Sequence, residues 1–276
     1  HMGYPAKRSH GFVSSAADVY FSAITPSASG GQPASAFFMM KDGIPGTAVM
    51  AALLLNLVMY TLAVVTLGLL NFVCAPRLFL QFSIVGRVLI ISGMLALSGL
   101  AILFYMLLKK REIVRKLMKG TTSFLRRIHC KRLAQKLEKK INKALEEYGQ
   151  CVSLIFNNKA MLIKVYVLNF LQRLSQILVT IVAYAALHGN IRTLPRLLAT
   201  QIYVVLGSNC VPIPGGVGVT DYLMLNGYKQ LMEKTAAYQL EILSRGLSFY
   251  VCIFVSMVTV VIGYLVQRKN TREKMK

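Results

Sequence analysis

The sequence predicts an all-α polytopic helical membrane protein with two Pro/Gly-broken helices, which are either re-entrant or discontinuous. The chain of 276 residues is 55% hydrophobic, and its mean hydropathy is +0.54. Three long windows, 43–76, 88–108 and 246–267, contain no charged residue. A helix that spans a bilayer needs about 20 apolar residues, so each window is long enough to cross. Proline and glycine interrupt the apolar sequence at 23–33 and again at 209–221.

The N-terminal part is predicted to contain one broken helix and two spans. Residues 12–40 mix apolar and small residues around the first Pro/Gly cluster, which indicates a helical arm, a turn and a short half-helix. Pro33 suits the first helical position, because its missing N–H would have no partner there. A re-entrant hairpin is therefore expected, followed by spans over 45–70 and 84–108.

A basic connector joins the two membrane parts of the chain. Residues 109–150 contain fourteen Lys and Arg residues. Leucine or isoleucine at every fourth position from 133 to 145 favours an amphipathic helix on the membrane surface. A solvated connector whose charge only sets the topology is the alternative. We divide the chain into 1–108, with the first broken motif and two spans, the connector 109–150, and 151–276, with the remaining helices, the second motif and a basic tail.

The C-terminal part leaves its number of membrane crossings open. The predicted spans are 160–187, 196–210 and 246–267; helix resumes at 217–228, and 229–245 is a polar loop or surface helix. The positive-inside rule places the connector and the basic tail in the cytoplasm, so an even number of crossings must separate them. Either 211–228 supplies a further crossing, which we favour, or 196–228 is one re-entrant unit.

The formal net charge of +22 does not indicate a nucleic-acid partner. On a soluble protein it would favour nucleic-acid binding, but much of it lies in the connector and the tail. Retention on the cytoplasmic side and contact with anionic lipid headgroups explain this distribution better. We therefore expect contact with anionic lipid headgroups and no nucleic-acid partner.

No residue pattern in the sequence points to an enzyme or to a metal site. The five cysteines are widely spaced and form no C-x-x-C pair. The sequence contains no H-E-x-x-H, G-x-S-x-G, P-loop or G-x-G-x-x-G motif. We therefore expect no catalytic residue, no metal site and no cofactor.

The third predicted span carries a polar face. Its polar positions, spaced three or four residues apart, are Asn169, Gln172, Arg173, Gln176 and Thr180. Arg173 lies about 13 residues into the span, which is roughly 20 Å along the helix. Because a charge at the bilayer centre costs at least about 2.5–3.5 kcal/mol, we expect this arginine to face a cavity, with Asp221 or Asp18 as its partner. The alternative is a tilted helix whose arginine reaches the interface.

The two broken motifs are predicted to favour an anion. A helix that begins within the membrane exposes unpaired N–H groups and the positive end of its dipole, and a lipid phosphate suits such an end. The alternative is a structural kink whose hydroxyl groups cap freed carbonyls. The candidate lipid-binding residues are Thr25, Ser27, Ser29, Gly30, Gly31, Gln32, Asn169, Gln172, Arg173, Gln176, Asn209, Pro212, Pro214, Gly215, Gly216, Gly218, Thr220 and Asp221.

Both motifs resemble signatures of a known family. The segments 21–33 and 211–221 are similar to two signatures of the lysylphosphatidylglycerol synthase transmembrane region, also called the flippase-like domain family. The resemblance covers nearly the whole chain. It implies a protein of the bacterial inner membrane that binds or translocates a phospholipid, such as lysylphosphatidylglycerol, between leaflets. Arg173 would hold the phosphate, and Asp221 or Asp18 would meet a cationic headgroup or balance the arginine.

Two departures from the family pattern qualify this resemblance. Members generally have further helices before the first motif, so we expect a fragment or a shortened variant. Large members carry a cytosolic aminoacyl-transferase domain after the last span, whereas this chain stops at Lys276. The resemblance thus implies lipid binding or translocation rather than aminoacyl transfer. The alternatives are a non-transporting membrane partner of a separate synthase and, third, a phosphatidylglycerol lysyltransferase. The expected protein partner is a second copy of the chain or that synthase.

Overall fold

The computed structural model describes residues 8–25, 29–109, 146–211 and 213–274, and within these ranges every regular element is helical. The prediction of an all-α membrane protein is confirmed. The surface helix predicted around Leu133 to Leu145 lies outside the described residues.

The helices follow one another with short connections. They are α1 (Arg8–Ile24), α2 (Gly31–Lys41), α3 (Gly46–Cys74), α4 (Pro76–Gln81), α5 (Ile84–Lys109), α6 (146–157), α7 (Lys159–Ala186), α8 (Leu194–Ser208), α9 (Val219–Tyr228), α10 (Lys234–Arg245) and α11 (Cys252–Lys274). A 3₁₀ turn precedes α8 at Ile191–Thr193, and another lies at Pro214–Gly216. The π-helical segment Gly246–Val251 joins α10 to α11.

In the described part of the chain, four helices are long and apolar enough to cross a membrane. They are Gly46–Cys74, Ile84–Leu108, Lys159–Ala186 and Lys234–Val266. The last combines α10, the π-helical segment and most of α11, and most of the segment predicted as a polar loop or surface helix, 229–245, is the helix α10. Its 33 residues extend about 50 Å at 1.5 Å per residue. Because the apolar core of a bilayer is about 30 Å thick, the polar first turns extend beyond it.

Helices α1 and α2 form an antiparallel pair, here called the first hairpin. At its open end, His10 Nδ1 lies 2.9 Å from Asp42 Oδ1. At its tip, the N–H of Gly30 donates to Thr25 Oγ1 at 2.9 Å. The chain continues directly from α2 into α3. The first hairpin therefore opens at the end of the bundle where α3 begins.

Helices α8 and α9 form a second antiparallel pair, here called the second hairpin, with its tip at 209–218. The Tyr228 hydroxyl donates to Gln201 Oε1 at 2.6 Å, and Gly227 lies against the Thr200 side chain. These contacts bring the end of α9 back along α8 to its middle, so the chain reverses at the tip. The favoured expectation that 211–228 crosses the membrane is therefore wrong, and the alternative of one re-entrant unit describes the structure.

The two hairpins open at opposite ends of the bundle. Tyr203 of the second hairpin donates to the carbonyls of Asn71 and Ala75, at 3.3 and 3.2 Å, beside the turn that contains α4. At the other end, Thr47 Oγ1 donates to Glu147 Oε2 at 3.3 Å, which joins the start of α3 to α6. We call these the α4 end and the connector end. The first hairpin opens at the connector end and the second at the α4 end.

Glycines let the second hairpin pack directly on α3 and α5. A methyl group at position 93 would collide with the carbonyl oxygen of Leu206. At Gly68 it would meet the Leu206 side chain at 2.9 Å, and at Gly207 it would meet Leu223 at 2.6 Å. Small residues at such crossings allow close helix packing in membranes, where no hydrophobic force draws helices together. The second hairpin is therefore fixed against the long helices.

The close approach at Gly93 predicts a position-specific loss of stability. We expect Gly93→Ala to destabilise the fold by about 1–3 kcal/mol, the usual cost of overpacking. Gly99→Ala on the same helix is the control, because no other atom lies within 4 Å of the added methyl group. Gly99→Ala should instead raise stability by about 0.5–1 kcal/mol. Thermal unfolding of the purified variants in detergent checks both, and equal midpoints would contradict the packing.

If the second hairpin is re-entrant, cysteines placed at its two ends should be accessible from the same side of the membrane. In a background with serine at every native cysteine position, we expect Arg192→Cys and Gln230→Cys to react with an impermeant thiol reagent from the same side. Lys159→Cys, at the connector end, should react from the other side. All three positions are exposed. Labelling of positions 192 and 230 from opposite sides would mean that the segment crosses the membrane.

Candidate functional site

The helix that leads into the first broken motif packs against the second motif. This helix, α1, contacts the Pro214–Gly216 turn. Helix α1 also packs on α11, where the Val13 side chain lies over Gly263. Helix α7 packs against α10, and the hydroxyls of Thr180 and Ser244 are 2.5 Å apart. The polar groups of both tips therefore lie among α1, α7 and α10.

The first tip is closed by its own side chains. Thr25 Oγ1 donates to the Phe21 carbonyl at 2.6 Å and accepts the Gly30 N–H. Asp18 and Ser22 lie so close to Gly31 that any larger residue there would collide with them. This contact places the Asp18 carboxylate at the beginning of α2, where the positive end of the helix dipole favours an anion.

Arg173 of α7 lies near this tip. Its Nη1 donates to Gln176 Oε1 at 2.6 Å, and its guanidinium lies 3.9 Å from the centre of the Tyr60 ring. Its positive charge also acts on the Asp18 carboxylate, to which Gln32 Nε2 donates a long hydrogen bond of 3.5 Å. Asp18, one of the two predicted partners, is thus within electrostatic range of Arg173.

Two polar atoms near this tip lack hydrogen-bond partners. Arg173 Nε, a donor, and Gln32 Oε1, an acceptor, are both buried and unpaired. An unpaired buried polar group costs about 1–3 kcal/mol, and such a group in a native fold calls for a bound water, ion or ligand. The first tip therefore offers one donor and one acceptor to a polar guest.

The second tip depends on left-handed glycines and on a carboxylate cap. Gly215, Gly216 and Gly218 have φ of 62°, 62° and 82°, a region that glycine enters without a steric penalty. The Gly218 N–H donates to Asp221 Oδ2 at 2.8 Å. Asp221 thus caps the first turn of α9. At the Gly218 N–H group, the Asp221 carboxylate of the chain itself therefore takes the place of the anion predicted at this break.

Arg245 was not singled out by the sequence analysis, yet it organises the second tip. Its Nε lies 2.8 Å from Asp221 Oδ1, and its Nη1 and Nη2 both donate to the Gly215 carbonyl at 3.2 Å. Its guanidinium also lies 4.7 Å from the centre of the Phe249 ring. Asp221, the other predicted partner of Arg173, therefore pairs with Arg245. The only signal in the sequence was an arginine at the start of the last apolar window.

Two of the remaining candidates make bonds within the scaffold. Asn169 is buried and donates to Asn56 Oδ1 at 3.2 Å, which ties α7 to α3. Asn209 donates to the Val205 carbonyl at 2.6 Å and so satisfies the end of its own helix. The bond of Asn209 agrees with the structural alternative for polar residues near a break. A role in lipid binding stays a prediction for these residues.

The other candidates are spread over the two tips and α7. Ser29, Gln172 and Gln176 are exposed, whereas Gly30 and Thr220 are half-buried. Pro214 begins the 3₁₀ turn of the second tip. Ser27 and Pro212 lie outside the described residues.

Two open grooves on the described surface lie away from the hairpin tips. One follows 154–161 at the connector end, and the other lies between the end of α3 and the start of α8. Neither contains a residue of either tip. The chamber expected between the two broken motifs is therefore not one of these grooves.

Comparison with known proteins identifies the family to which the two motifs point. The sequence profile described as the lysylphosphatidylglycerol synthase TM region matches residues 1–256. The chain belongs to this family. The matched region includes both hairpins as well as Arg173 and Arg245. Searches of curated proteins and of solved structures returned no match.

The contacts of Arg245 predict a strong coupling with Asp221. We expect Arg245→Gln to destabilise the protein by about 1–3 kcal/mol, because it leaves a half-buried carboxylate without its partner. Adding Asp221→Asn should recover part of this loss, because the uncompensated charge is then removed. Thermal unfolding in detergent measures both, with Arg192→Gln, exposed at the α4 end, as the control. Simple addition of the two single effects would refute the pairing.

Proposed function

We propose that this membrane protein of the lysylphosphatidylglycerol synthase type binds a phospholipid headgroup where the hairpin tips meet, and moves it between leaflets. The supporting observation is the unpaired donor Arg173 Nε and the unpaired acceptor Gln32 Oε1 near Asp18. A guanidinium suits a phosphate, whereas an amide oxygen and a carboxylate suit an ammonium or hydroxyl group. A headgroup with both, such as that of lysylphosphatidylglycerol, matches this set.

The direction of the hairpins supports transport rather than binding alone. Broken helices that enter from opposite ends of a bundle are typical of transporters, whose substrate sites lie near the middle of the membrane. Here the first hairpin opens at the connector end and the second at the α4 end, and α1 of the first packs against the Pro214–Gly216 turn at the tip of the second. A headgroup held at the tips would thus lie between the two leaflets.

We propose that the protein is a multi-pass protein of the bacterial inner membrane. The basic connector and the basic tail favour a cytoplasmic location for the connector end, since Lys and Arg are retained on that side. In this orientation the first hairpin opens toward the cytoplasm, and the α4 end faces the other side of the membrane.

A non-transporting partner of a separate lipid-modifying synthase is the second candidate function. Neither surface groove lies at the hairpin tips, and Arg245 and Asp221 already form an ion pair at the second tip. Both observations suit tips that stabilise a scaffold. Because the two candidates differ in what they require of Arg173, one variant separates them.

Substitution of Arg173 tests the proposed function. We expect Arg173→Gln to raise the Kd for the headgroup about tenfold to a hundredfold, because a hydrogen bond to a charged group contributes about 1.5–3 kcal/mol. Flipping in liposomes should fall in parallel. Binding is measured by native mass spectrometry with lysylphosphatidylglycerol, and flipping by chemical quenching of a labelled analogue. Lys164→Gln, exposed on the same helix, is the matched control and should change neither.

The outcomes separate the candidates. Normal flipping by a folded Arg173→Gln variant rejects the headgroup role of this arginine. A native chain that folds but neither binds nor flips the lipid, and that co-purifies with a synthase, supports the second candidate. The same preparation with charged tRNA tests aminoacyl transfer, and lipid product formed by the chain alone would overturn both proposals.

A further inference from the structure

An apolar cleft lies on the outside of the second hairpin, at the α4 end. It has a volume of about 440 Å³ and is lined by the last turns of α3, the first turn of α4 and the first turns of α8. This volume lies in the range of about 300–1,000 Å³ that is usual for pockets that bind small molecules. The cleft shares no residue with either hairpin tip. It is therefore a separate feature from the site of the proposed function.

The lining of the cleft combines an apolar floor with one charge. Leu67, Leu70 and Ile202 belong to the floor, whereas Arg196 lies in the first turns of α8 and is exposed. Among the described residues, the ion pairs of the fold involve Asp42 and Asp221 and not this arginine. The charge of Arg196 therefore has no acidic partner in the described part of the chain.

The environment of the cleft indicates which kind of molecule binds in it. Leu70 is 52% exposed on a helix that is long and apolar enough to span the membrane, so this face meets lipid rather than water. An apolar guest with an anionic end fits such a cleft, because the guanidinium of Arg196 suits a phosphate beside the apolar floor. Long side chains near helix ends also place their charge at the level of the headgroups.

We infer that this cleft is a binding site for an anionic phospholipid, with one acyl chain between α3 and α8 and the phosphate at Arg196. The site takes lipid from the leaflet at the α4 end. It is independent of the headgroup site at the hairpin tips, and it stands whether or not the chain moves lipid between leaflets.

Two native cysteines allow lipid binding at this site to be measured without a reporter mutation. Cys74 lines the cleft, and Cys252 lies on α11, outside it; both are exposed. In nanodiscs we expect phosphatidylglycerol to slow the alkylation of Cys74 relative to Cys252, compared with nanodiscs of phosphatidylcholine. Peptide mass spectrometry gives the two rates from the same sample, so each preparation carries its own internal control.

A matched pair of arginine variants tests whether the charge of Arg196 binds the lipid phosphate. Arg196→Gln should abolish the protection of Cys74 by phosphatidylglycerol. Arg192→Gln removes an equal charge one turn earlier, outside the cleft lining, and should leave the protection intact. Arg173→Gln should also leave it intact, so failure of the tip site and failure of the cleft site give different results.

Three results would overturn the inference. Equal slowing of Cys74 and Cys252 would mean ordinary lipid contact over the whole surface. Equal protection by phosphatidylcholine would remove the role of the phosphate charge. Loss of protection in Arg192→Gln as well as in Arg196→Gln would mean general attraction to the α4 end. A normal unfolding midpoint of each arginine variant in detergent excludes misfolding as the cause.

Discussion

Backbone groups freed at a helix break must be satisfied inside the protein, and this constraint shapes both hairpin tips. Within a bilayer no water is available to pair with them, so irregular backbone persists only where the protein or a wet cavity satisfies it. At the second tip Arg245 donates to the Gly215 carbonyl, and Asp221 accepts the Gly218 N–H. At the first tip the Thr25 hydroxyl donates to the Phe21 carbonyl and accepts the Gly30 N–H. Without these bonds neither chain reversal would be stable.

The same constraint explains why each tip combines an acid with an arginine. Asp18 lies at the start of α2 and Asp221 caps α9, where each carboxylate meets the positive end of a helix dipole. A lone carboxylate there would be costly to bury, so each has an arginine from a neighbouring long helix nearby. The packing of α1 on the second tip then brings both pairs into one region.

The sequence determined the helix breaks and the long spans, but not the direction of the chain after a break. Proline and glycine mark both tips, and the predicted spans 45–70, 84–108 and 160–187 agree closely with α3, α5 and α7. A crossing and a hairpin have the same local pattern of helix, break and helix. The choice depends on long-range contacts such as Tyr228 with Gln201. Arg245 was missed for the same reason, because its partners lie 24 and 30 residues away in the chain.

The two arginines differ in how fully their donors are used, and this difference separates structure from recognition. Arg245 is 8% exposed; its Nε lies beside Asp221 Oδ1, and its two terminal nitrogens both donate to the Gly215 carbonyl. Arg173 has one bond to Gln176 and a ring contact, while its Nε is buried and unpaired. Each nitrogen of Arg245 already faces an oxygen of the second tip, so this guanidinium holds the tip together. A guanidinium with an unpaired donor gains free energy when an anion arrives, which favours the Arg173 side of the interface as the place where a headgroup binds.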